Sequence, residues 1–578
     1  MATRRQVLRA GLQGAAALGT ARLLTGCSPI FTSPGLEPFA DPLVVPTPQA
    51  PGAALTAASG SHRFHSSLPA NPTIGLGGEA FGGPWWDSPA GQPVHTTLEN
   101  RLGRHPLAEH VDTTVHGTVA SDRDRPRLSL HLHGGVIPAS EDGHPLDTVA
   151  SGADQTYDWP NPQEAATLWF HDHALGITRL NVHAGIFGLY TVRDEVDTGA
   201  ATNPLGLPSG EFEIPLVLQD RGFDADGRSR FRAFSFVPEG SWEGGMIGDT
   251  IAVNGTVWPR LDVARGRYRF RILNASNLTT YHLTLGDGRP FVVIGNDHGM
   301  LDAPARTPDL RISPGERIDV IVDFSDAEPG TRIVLRNDHP QPLQAEIFGT
   351  TVIPHVMAFD VGTARGHVGP IAERLRIGPT APLPSLAEMA ARRSSVRNVT
   401  LSQIGTDRNP PAWMTLDNVG FDVEAQPARQ GTVEQWNFIN TTLDDHPMHI
   451  HLARFRVLER VPINPLLYQL VEQRPDPHTE WHPSADAYAT GRPTPPDVWE
   501  RGWKDTVIAP GNSITRVLVE WPSAEHLGFD PDEPYRVTVP DPAPAWCPIG
   551  GEVQGYVFHC HVLDHEDNEM MRPIRVIA

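Results

Sequence analysis

Four short histidine motifs place the strongest constraint on this chain, because their spacing suits strands and their side chains suit a metal. The motifs are His131-Leu132-His133-Gly134, His171-Asp172-His173, His446-Pro447-Met448-His449-Ile450-His451 and a longer one that begins at His559. Residues two apart on a strand point to the same face, so each His-x-His pair presents two imidazoles side by side. The pairs 131/133, 171/173, 449/451 and 559/561 supply eight nitrogens, enough for three metal ions with positions left open for oxygen.

The longer motif carries a second set of ligands. It reads His559-Cys560-His561-Val562-Leu563-Asp564-His565-Glu566-Asp567-Asn568-Glu569-Met570. His559 and His561 share one strand face, so Cys560 must point the other way. A thiolate, two imidazoles and a distant thioether make a blue-copper site, and Cys560, His446, His565 and Met570 provide that set. An electron arriving at this copper would pass through Cys560 to the cluster held by His559 and His561.

Each part of this pattern has a plainer explanation when it is taken alone. A single His-x-His pair needs no metal, and a single cysteine is more often a small buried hydrophobic residue. Met570 alone would more often belong to the core, and its neighbour Met571 could be the axial ligand after a register slip. The four pairs together with His-Cys-His-x3-His-x4-Met favour copper over these explanations.

The remaining sequence predicts an all-β fold of three domains. Its 54 glycines and 56 prolines favour short strands and turns. Alternating runs at 127–133, 268–273 and 317–324 are typical of half-buried strands, and many short strands favour sandwiches or barrels. Turn-rich seams near 193–210 and 362–396 separate domains at 61–200, 211–361 and 397–578. The segment 362–396 is then a linker, with a helix-like stretch near 386–393.

Charge and cysteine content exclude several classes of protein. The formal net charge is -22, so the field repels phosphate backbones and argues against a nucleic-acid partner. The cysteines Cys27, Cys547 and Cys560 are too few for a disulfide framework, and Cys547 is expected to be a free thiol. Lys504 is the only lysine, which we interpret as a compositional bias without functional weight.

The N-terminal segment resembles a targeting signal rather than part of the fold. Residues 3–8 are similar to a twin-arginine export signal, and Leu24-Thr25-Gly26-Cys27 is similar to a lipobox. We therefore expect residues 1–27 to be an export signal, with Cys27 lipidated, and residues 28–60 to be a tether. An ordinary cleaved signal with an incidental Cys27 is the alternative. Either way the protein is expected at the cell envelope or outside the cell, and any membrane contact is through the lipid.

Over most of the mature chain the sequence resembles the multicopper oxidase family, and within it the group of spore-coat laccases, bilirubin oxidases and phenoxazinone synthases. Beyond the histidine motifs, the resemblance rests on further matching segments. They are 131–136, 142–143, 168–174, 178–182, 253–259, 268–271, 274–277, 502–505 and 570–573. This resemblance implies three cupredoxin-like domains, with a trinuclear copper cluster between the first and the third.

The resemblance also implies a role for each ligand and a total of four copper ions. His446, Cys560 and His565 would hold the type 1 copper with Met570 axial, and His131 and His449 would hold the type 2 copper. The type 3 pair would be held by the remaining histidines, which are His133, His171, His173, His451, His559 and His561. The middle domain carries no ligand motif and is expected to be a spacer.

Asp142 and Glu566 match positions at which family members deliver protons for oxygen reduction, although a single acid is usually just solvated. The imidazole of His565 is expected to be exposed and to receive electrons from the substrate. His183 is expected to pack in the interior. His478 and His482 are expected in a surface loop rather than in a second metal site.

The reaction implied is one-electron oxidation of phenols or aminophenols, with dioxygen reduced to water, by a protein expected to be a monomer. Loops at 463–500 and 523–555 are expected to form an acidic donor pocket. Bilirubin oxidase, phenoxazinone synthase and manganese or cuprous oxidase activities are the enzymatic alternatives, and the nine scattered methionines argue against a dedicated cuprous oxidase. A copper-binding electron-transfer protein is the non-enzymatic alternative, but it has no use for four His-x-His pairs.

Overall fold

The structure, a computed structural model, describes residues 32–232, 240–242, 244–338, 354–406, 410–537 and 551–578. Strands predominate in these ranges, and each third of the chain folds into sheets around its own apolar core. The predicted export signal with Cys27, and also Cys547, lie outside the described residues. No helix within the described ranges is long and apolar enough to cross a membrane.

The first domain packs two sheets around a core that includes Leu98, Tyr157 and Trp159. Its strands are β1 (Pro48–Gln49), β2 (Ala54–His62), β3 (Asn71–Leu76), β4 (Trp85–Pro89), β5 (Val94–Asn100), β6 (Leu130–His133), β7 (Asp154–Trp159), β8 (Ala166–Asp172) and β9 (Phe187–Arg193). The sheet orders are β1-β4-β9-β8-β6 and β3-β2-β5-β7. A helix at Thr178–Ala184 and 3-10 turns at Ala108–His110, Ala120–Arg123 and Ala139–Glu141 connect them. Strand β8 is buried along its whole length, because one of its faces meets the middle domain.

The middle domain also has two sheets, whose core includes Phe270, Ile321 and Phe359. Its strands are β10 (Glu213–Phe223), β11 (Ser229–Arg230), β12 (Thr250–Val253), β13 (Thr256–Val257), β14 (Arg260–Arg265), β15 (Arg267–Asn274), β16 (Tyr281–Leu285), β17 (Phe291–Asn296), β18 (Gly299–Thr307), β19 (Asp309–Ile312), β20 (Arg317–Asp323), β21 (Arg332–Asn337) and β22 (His355–Arg365). The sheet orders are β13-β12-β10-β15-β20-β17-β18, with β11 beside β10, and β14-β22-β21-β16-β19. A 3-10 turn at Gly210–Phe212 leads into β10.

The third domain surrounds a core that includes Trp436, Phe558 and Cys560. Its strands are β23 (Arg393–Gly405), β24 (Ala412–Leu416), β25 (Ala428–Arg429), β26 (Val433–Asn440), β27 (His446–Ile450), β28 (Arg454–Pro462), β29 (Thr506–Ala509), β30 (Ser513–Glu520), β31 (Tyr535–Arg536), β32 (Glu552–Val553), β33 (Tyr556–Cys560), β34 (Met571–Ile574) and β35 (Val576–Ile577). The main sheet orders are β24-β23-β26-β30-β28 and β29-β27-β33-β34. Short helices lie at Pro465–Val471, Ala524–Leu527 and Leu563–Glu566, with 3-10 turns at Asp486–Tyr488 and Val498–Glu500.

The helix-like stretch in the predicted linker is confirmed as a helix at Leu386–Ala391. Ser385 caps it, because its hydroxyl accepts from the backbone N–H of Glu388 at 3.2 Å. Strand β23 of the third domain begins just beyond this helix, at Arg393.

The predicted tether at 28–60 is wrong over its described part. Leu43 is buried in the middle-domain core, and its N–H donates to the carbonyl of Arg260 at 2.7 Å. Residues 54–62 form β2, which pairs with both β3 and β5. Small residues there resemble a flexible linker in composition, but backbone pairing on both sides makes a strand without large side chains.

Candidate metal centre

Strand register brings the four His-x-His pairs together. In the first domain β6 pairs with β8, so that His131 lies opposite His171. In the third domain β27 pairs with β33, so that His449 lies opposite His559. The eight imidazoles are all buried, with no more than 1% of each residue exposed.

The eight rings converge across the boundary between the first and third domains. The Nε2 atom of His559 lies 3.2 Å from Nε2 of His173 and 3.2 Å from Nε2 of His451. The ring of His131 stacks on that of His451 with centroids 3.9 Å apart. The cluster therefore needs both domains, as the family resemblance implies.

Hydrogen bonds on the outer side of several rings decide which nitrogen faces inward. The Nδ1–H groups of His131, His171 and His449 donate to backbone carbonyls at 2.7, 2.8 and 2.9 Å. Their Nε2 atoms are buried and have no hydrogen-bond partner among the described residues. His133 is turned the other way: Nε2–H donates to Asp505 Oδ1 at 3.0 Å, and Nδ1 is the nitrogen without a partner.

These unpaired nitrogens fit a copper cluster. Burial lowers the pKa of His133, His171, His449 and His561 well below the usual value, so these rings are neutral and offer lone pairs. Buried polar atoms without partners are costly, and a metal ion relieves that cost. Imidazole is a ligand that suits copper. Overlapping triads within the cluster, such as His131-His449-His451 and His173-His451-His559, have ligand atoms within 4.8 Å of one another.

A second, smaller ligand set lies on the opposite face of β33. Nδ1 of His446 is 3.5 Å from Cys560 Sγ, and Nδ1 of His565 is 3.9 Å from it. The two Nδ1 atoms are 3.2 Å apart. Burial raises the pKa of the Cys560 thiol, so a thiolate there requires a cation such as copper.

The structure distinguishes the two neighbouring methionines. Met570 is fully buried in the core cluster that contains Cys560, and its carbonyl accepts from the Cys560 N–H at 2.9 Å. Met571 packs in a different cluster, with Leu146 and Leu175. This favours Met570 as the axial ligand and argues against the register slip.

The prediction that His565 is exposed is wrong, since only 1% of it is accessible. Its Nε2–H donates to the carbonyl of Gly244 at 3.1 Å. Beside it, the indole N–H of Trp242 donates to the carbonyl of Asp564 at 2.8 Å. A segment of the middle domain therefore covers the imidazole, which the local motif around His565 could not reveal.

His446, the other imidazole of the smaller set, is also enclosed. Its Nε2–H donates to the hydroxyl oxygen of Thr442 at 2.8 Å, and that hydroxyl donates to Asn440 Oδ1 at 2.8 Å. Thr442 was not recognised in the sequence, because a threonine four residues before a histidine carries no distinctive signal. It fixes the ring so that Nδ1 faces Cys560.

Both predicted acids lie against the outer nitrogens of the large cluster. The Nδ1–H of His451 donates to Asp142 Oδ2 at 2.6 Å, and Asp142 Oδ1 is 3.3 Å from Nδ1 of His131. The Glu566 carboxylate lies 3.1 Å from Nδ1 of His559 and 3.4 Å from Nδ1 of His173. Burial raises the pKa of Asp142. Each acid thus joins two histidines from different domains or motifs.

The middle domain is more than the predicted spacer, because it supplies charged groups around the cluster. Arg317 binds both carboxylate oxygens of Asp505 at 2.7 Å, and Lys504 pairs with Asp297 at 2.9 Å and Glu316 at 3.1 Å. Burial alone would raise the pKa of Asp505, but Arg317 and His133 hold it well below its ordinary value. The motif at 502–505 was a signal for this contact, although its partner is nearly 190 residues away.

The turn that precedes Arg317 in the middle domain touches the cluster directly. Gly315 has φ +84°, and a Cβ atom there would lie 2.7 Å from Cδ2 of His561. Neither ring nitrogen of His561 has a hydrogen-bond partner among the described residues, so packing contacts place this ring. Glycine is the residue that permits both the left-handed conformation and the close approach.

The other predicted features have mixed outcomes. His183 is buried against Phe231, as predicted for packing. His478 and His482 lie in the loop 463–500 and do not belong to any group of potential metal ligands among the described residues. That loop contacts residues 417–418, whereas the carbonyl that accepts from Nε2–H of His565 belongs to Gly244 of the middle domain. The predicted donor pocket between the two loops stays a prediction, and residues 538–550 of the second loop lie outside the described ranges.

Comparison with known proteins decides the family. Three family models, each described as multicopper oxidase, match residues 109–197, 236–344 and 394–526. A laccase of Bacillus stratosphericus is 37% identical over 81% of this chain and 84% of its own length. The chain belongs to the multicopper oxidase family. As a multicopper oxidase it is a copper oxidoreductase, and the family implies four copper ions.

Further relatives cover almost the whole multicopper oxidase. A laccase of Bacillus subtilis is 32% identical over 94% of this chain and 99% of its own length. The solved structure of a McoA multicopper oxidase variant from Aquifex aeolicus is 25% identical, with a TM-score of 0.68, and covers 93% of this chain and 100% of its own. The laccase-like CueO of Ochrobactrum sp. is 25% identical, with a TM-score of 0.65 and the same coverage. The fold is that of these oxidases, with three cupredoxin-like domains.

Proposed function

We propose that this multicopper oxidase removes single electrons from small phenolic or aminophenolic donors and reduces dioxygen to water. Four donors each lose one electron and one proton, and one O2 takes up four of each to give two water molecules. The copper ions, when bound, supply this one-electron redox chemistry. Laccases among the relatives support such a reaction, and the Ochrobactrum protein is described as active towards lignin model compounds.

The observation that carries the proposal is the alternation of side chains along β33. Cys560 faces the smaller set with His446 and His565, whereas His559 and His561 face the large cluster. The two sets are joined by adjacent peptide units of one strand. An electron taken up at the smaller set therefore has a short covalent route to the cluster, which a simple electron-transfer protein does not need.

We assign His446, Cys560, His565 and Met570 to the type 1 site, and His131 and His449 to the type 2 site. The type 3 assignment comprises His133, His171, His173, His451, His559 and His561. We propose that Asp142 and Glu566, each in contact with two of these histidines, pass protons to the cluster.

Donors do not reach the His565 imidazole directly, because only 1% of this residue is exposed and its Nε2–H is bonded to the Gly244 carbonyl. We propose that the donor binds outside this cover and that electrons cross it through the hydrogen bond from His565 to the Gly244 carbonyl. A small organic donor needs only to come within tunnelling distance, so a closed imidazole is compatible with oxidation of phenols.

Oxygen uptake by copper-loaded protein with dimethoxyphenol tests the reaction, with Cys560→Ser and Cys547→Ser compared with the wild type. We expect about four donors oxidised per O2 in the wild type and in Cys547→Ser. Only Cys560 is assigned as a copper ligand, and a serine hydroxyl does not replace its soft thiolate. Cys560→Ser should lose the blue absorption and the uptake together. Accumulation of hydrogen peroxide, or undiminished uptake by Cys560→Ser, would refute the mechanism. Uptake only with bilirubin, Mn²⁺ or Cu⁺ would assign one of the other oxidase activities.

We further propose that the protein is exported and lipidated at Cys27, on the strength of the twin-arginine and lipobox-like segments. Mass spectrometry of the mature protein from its native host should find a lipid on Cys27. An unmodified mature N-terminus beyond Cys27 would contradict lipidation. The monomeric state is likewise a prediction, which the sedimentation coefficient would test.

A further inference from the structure

Strand β20 begins with a middle-domain arginine that reaches the metal centre, although none of the assigned ligands belongs to this domain. Arg317 is 1% exposed. Its two terminal nitrogens each lie 2.7 Å from one oxygen of Asp505, and its Nε–H donates to the carbonyl of Thr167 in the first domain at 2.9 Å. One side chain thus touches all three domains at once.

Asp505 connects this arginine to two histidines of the cluster. Its Oδ1 accepts from Nε2–H of His133 at 3.0 Å, and its backbone carbonyl accepts from Nδ1–H of His449 at 2.9 Å. The opposite nitrogens, Nδ1 of His133 and Nε2 of His449, are the ones without a partner among the described residues. The contacts with Asp505 therefore decide which nitrogen each ring offers to a metal.

For His133 the carboxylate is the deciding partner. The hydroxyl of Thr506 is also within reach of His133 Nε2, at 3.1 Å, but a hydroxyl can either donate or accept. It would tolerate both tautomers of the ring. A carboxylate oxygen only accepts, so it keeps the proton on Nε2 and leaves Nδ1 free.

The orientation of the carboxylate in turn depends on Arg317. On the other side of Asp505, Nε2 of His298 lies 3.1 Å from Oδ2, and His298 lines a cavity of about 320 Å³. Without the arginine, the carboxylate could turn towards this cavity and away from His133. A guanidinium holds both oxygens in one plane, whereas a lysine ammonium would hold them as a point charge.

We propose that Arg317 is a positioning residue for the copper cluster: it fixes Asp505, which holds His133 in the tautomer that presents Nδ1. This inference rests on the proposed copper assignment of His133. It predicts that loss of Arg317 loosens the trinuclear copper selectively, while the type 1 site on the other face of β33 is unaffected.

The test measures copper release from the holoprotein during titration with a chelator. The blue absorption reports type 1 copper, and total bound copper less type 1 copper gives the trinuclear copper. Arg317→Gln is compared with Arg376→Gln. Arg376 is 5% exposed and also bridges domains, through Glu164 at 2.6 Å and the carbonyl of Met300 at 3.1 Å, but it touches no ligand. The ratio of trinuclear to type 1 release within one protein cancels any general loss of stability.

We expect Arg317→Gln to release trinuclear copper at an about 10- to 100-fold lower concentration of free chelator than the wild type does. Type 1 copper should be released at the wild-type concentration. Arg376→Gln should keep the wild-type ratio, and Arg317→Lys should lie between the two, because it keeps the charge but loses the planar fork. An equal ratio in Arg317→Gln and Arg376→Gln would overturn the proposal.

If Arg317→Gln does not accumulate as folded protein, Asp505→Asn provides the same test. Its amide can donate to His133 Nε2 and so favours the wrong tautomer; a wild-type release ratio in this variant would equally overturn the proposal. Copper release does not depend on turnover. Failure of the wild type to consume oxygen with phenols would therefore count against the proposed reaction and leave this comparison valid.

Discussion

Replacing Gly315 with alanine should displace one imidazole of the copper cluster. The new Cβ would lie 2.7 Å from Cδ2 and 2.8 Å from Cγ of His561. Carbon atoms normally approach to about 3.5–4.0 Å, so the ring would have to retreat by about 1 Å. The left-handed backbone at φ +84° adds a separate cost of about 1–2 kcal/mol for any residue with a Cβ atom.

Gly330, in the same domain, separates these two effects. It has the same φ of +84°, but a Cβ atom there would have no neighbour within 4 Å. Gly330→Ala should therefore show the backbone cost alone, as a small loss of thermal stability. Gly315→Ala should show that cost together with the displaced ring.

The assay is oxygen uptake with a phenolic donor, combined with anaerobic reduction of the blue site. A misplacement of about 1 Å in a reacting centre can cost about 100-fold in rate, so we expect a loss of this order in oxygen uptake for Gly315→Ala. Reduction of the type 1 site should remain at the wild-type rate in both variants. Equal oxygen uptake by the two alanine variants would refute the reasoning, since it would show that the turn does not set the position of His561.

Three further predictions follow from the two sites. Met570→Leu should keep the fold, at a cost below about 1.5 kcal/mol of stability. In a redox titration it should raise the reduction potential of the blue site, whereas Met571→Leu should leave that potential unchanged. Equal potentials in the two variants would exclude Met570 as the axial ligand. Trp242→Phe should slow anaerobic reduction of the type 1 site by donors, because it removes the indole N–H that bonds to the Asp564 carbonyl. The control is Trp521→Phe, since the Trp521 indole has no hydrogen-bond partner among the described residues. Equal reduction rates in the two variants would exclude a role for the Trp242 contact. Copper removal should lower the melting temperature reversibly, since an ion at about 100 times its Kd contributes about 2.7 kcal/mol; an unchanged melting temperature would contradict ligation by the buried histidines.

Local sequence was enough to predict which histidines share a face and that Cys560 takes the opposite one, because the relevant geometry is itself local. The period of two along a strand places His559 and His561 on one face and Cys560 on the other, whatever surrounds the strand. The helix in the linker was similarly predictable from its own residues. These features need no knowledge of distant contacts.

Features that depend on distant contacts were not predictable in this way. The cover over His565 comes from residues more than 300 positions earlier, and Arg317 reaches Asp505 across 188 positions. Gly244 belongs to no periodic pattern, and the alternating run at 317–324 predicts a strand without indicating what Arg317 contacts. The segment 28–60 was misinterpreted for a related reason: its composition resembles a linker, and only pairing with β3 and β5 makes residues 54–62 a strand.

The burial of Lys504 has a practical consequence for studying how the domains separate. It is the only lysine of the chain, and its side chain is 0% exposed, enclosed by acids of the middle domain. Reagents that acylate lysine amines cannot reach it while the third and middle domains are in contact. Its acylation rate would therefore report the opening of that interface in the natural protein, without an engineered label.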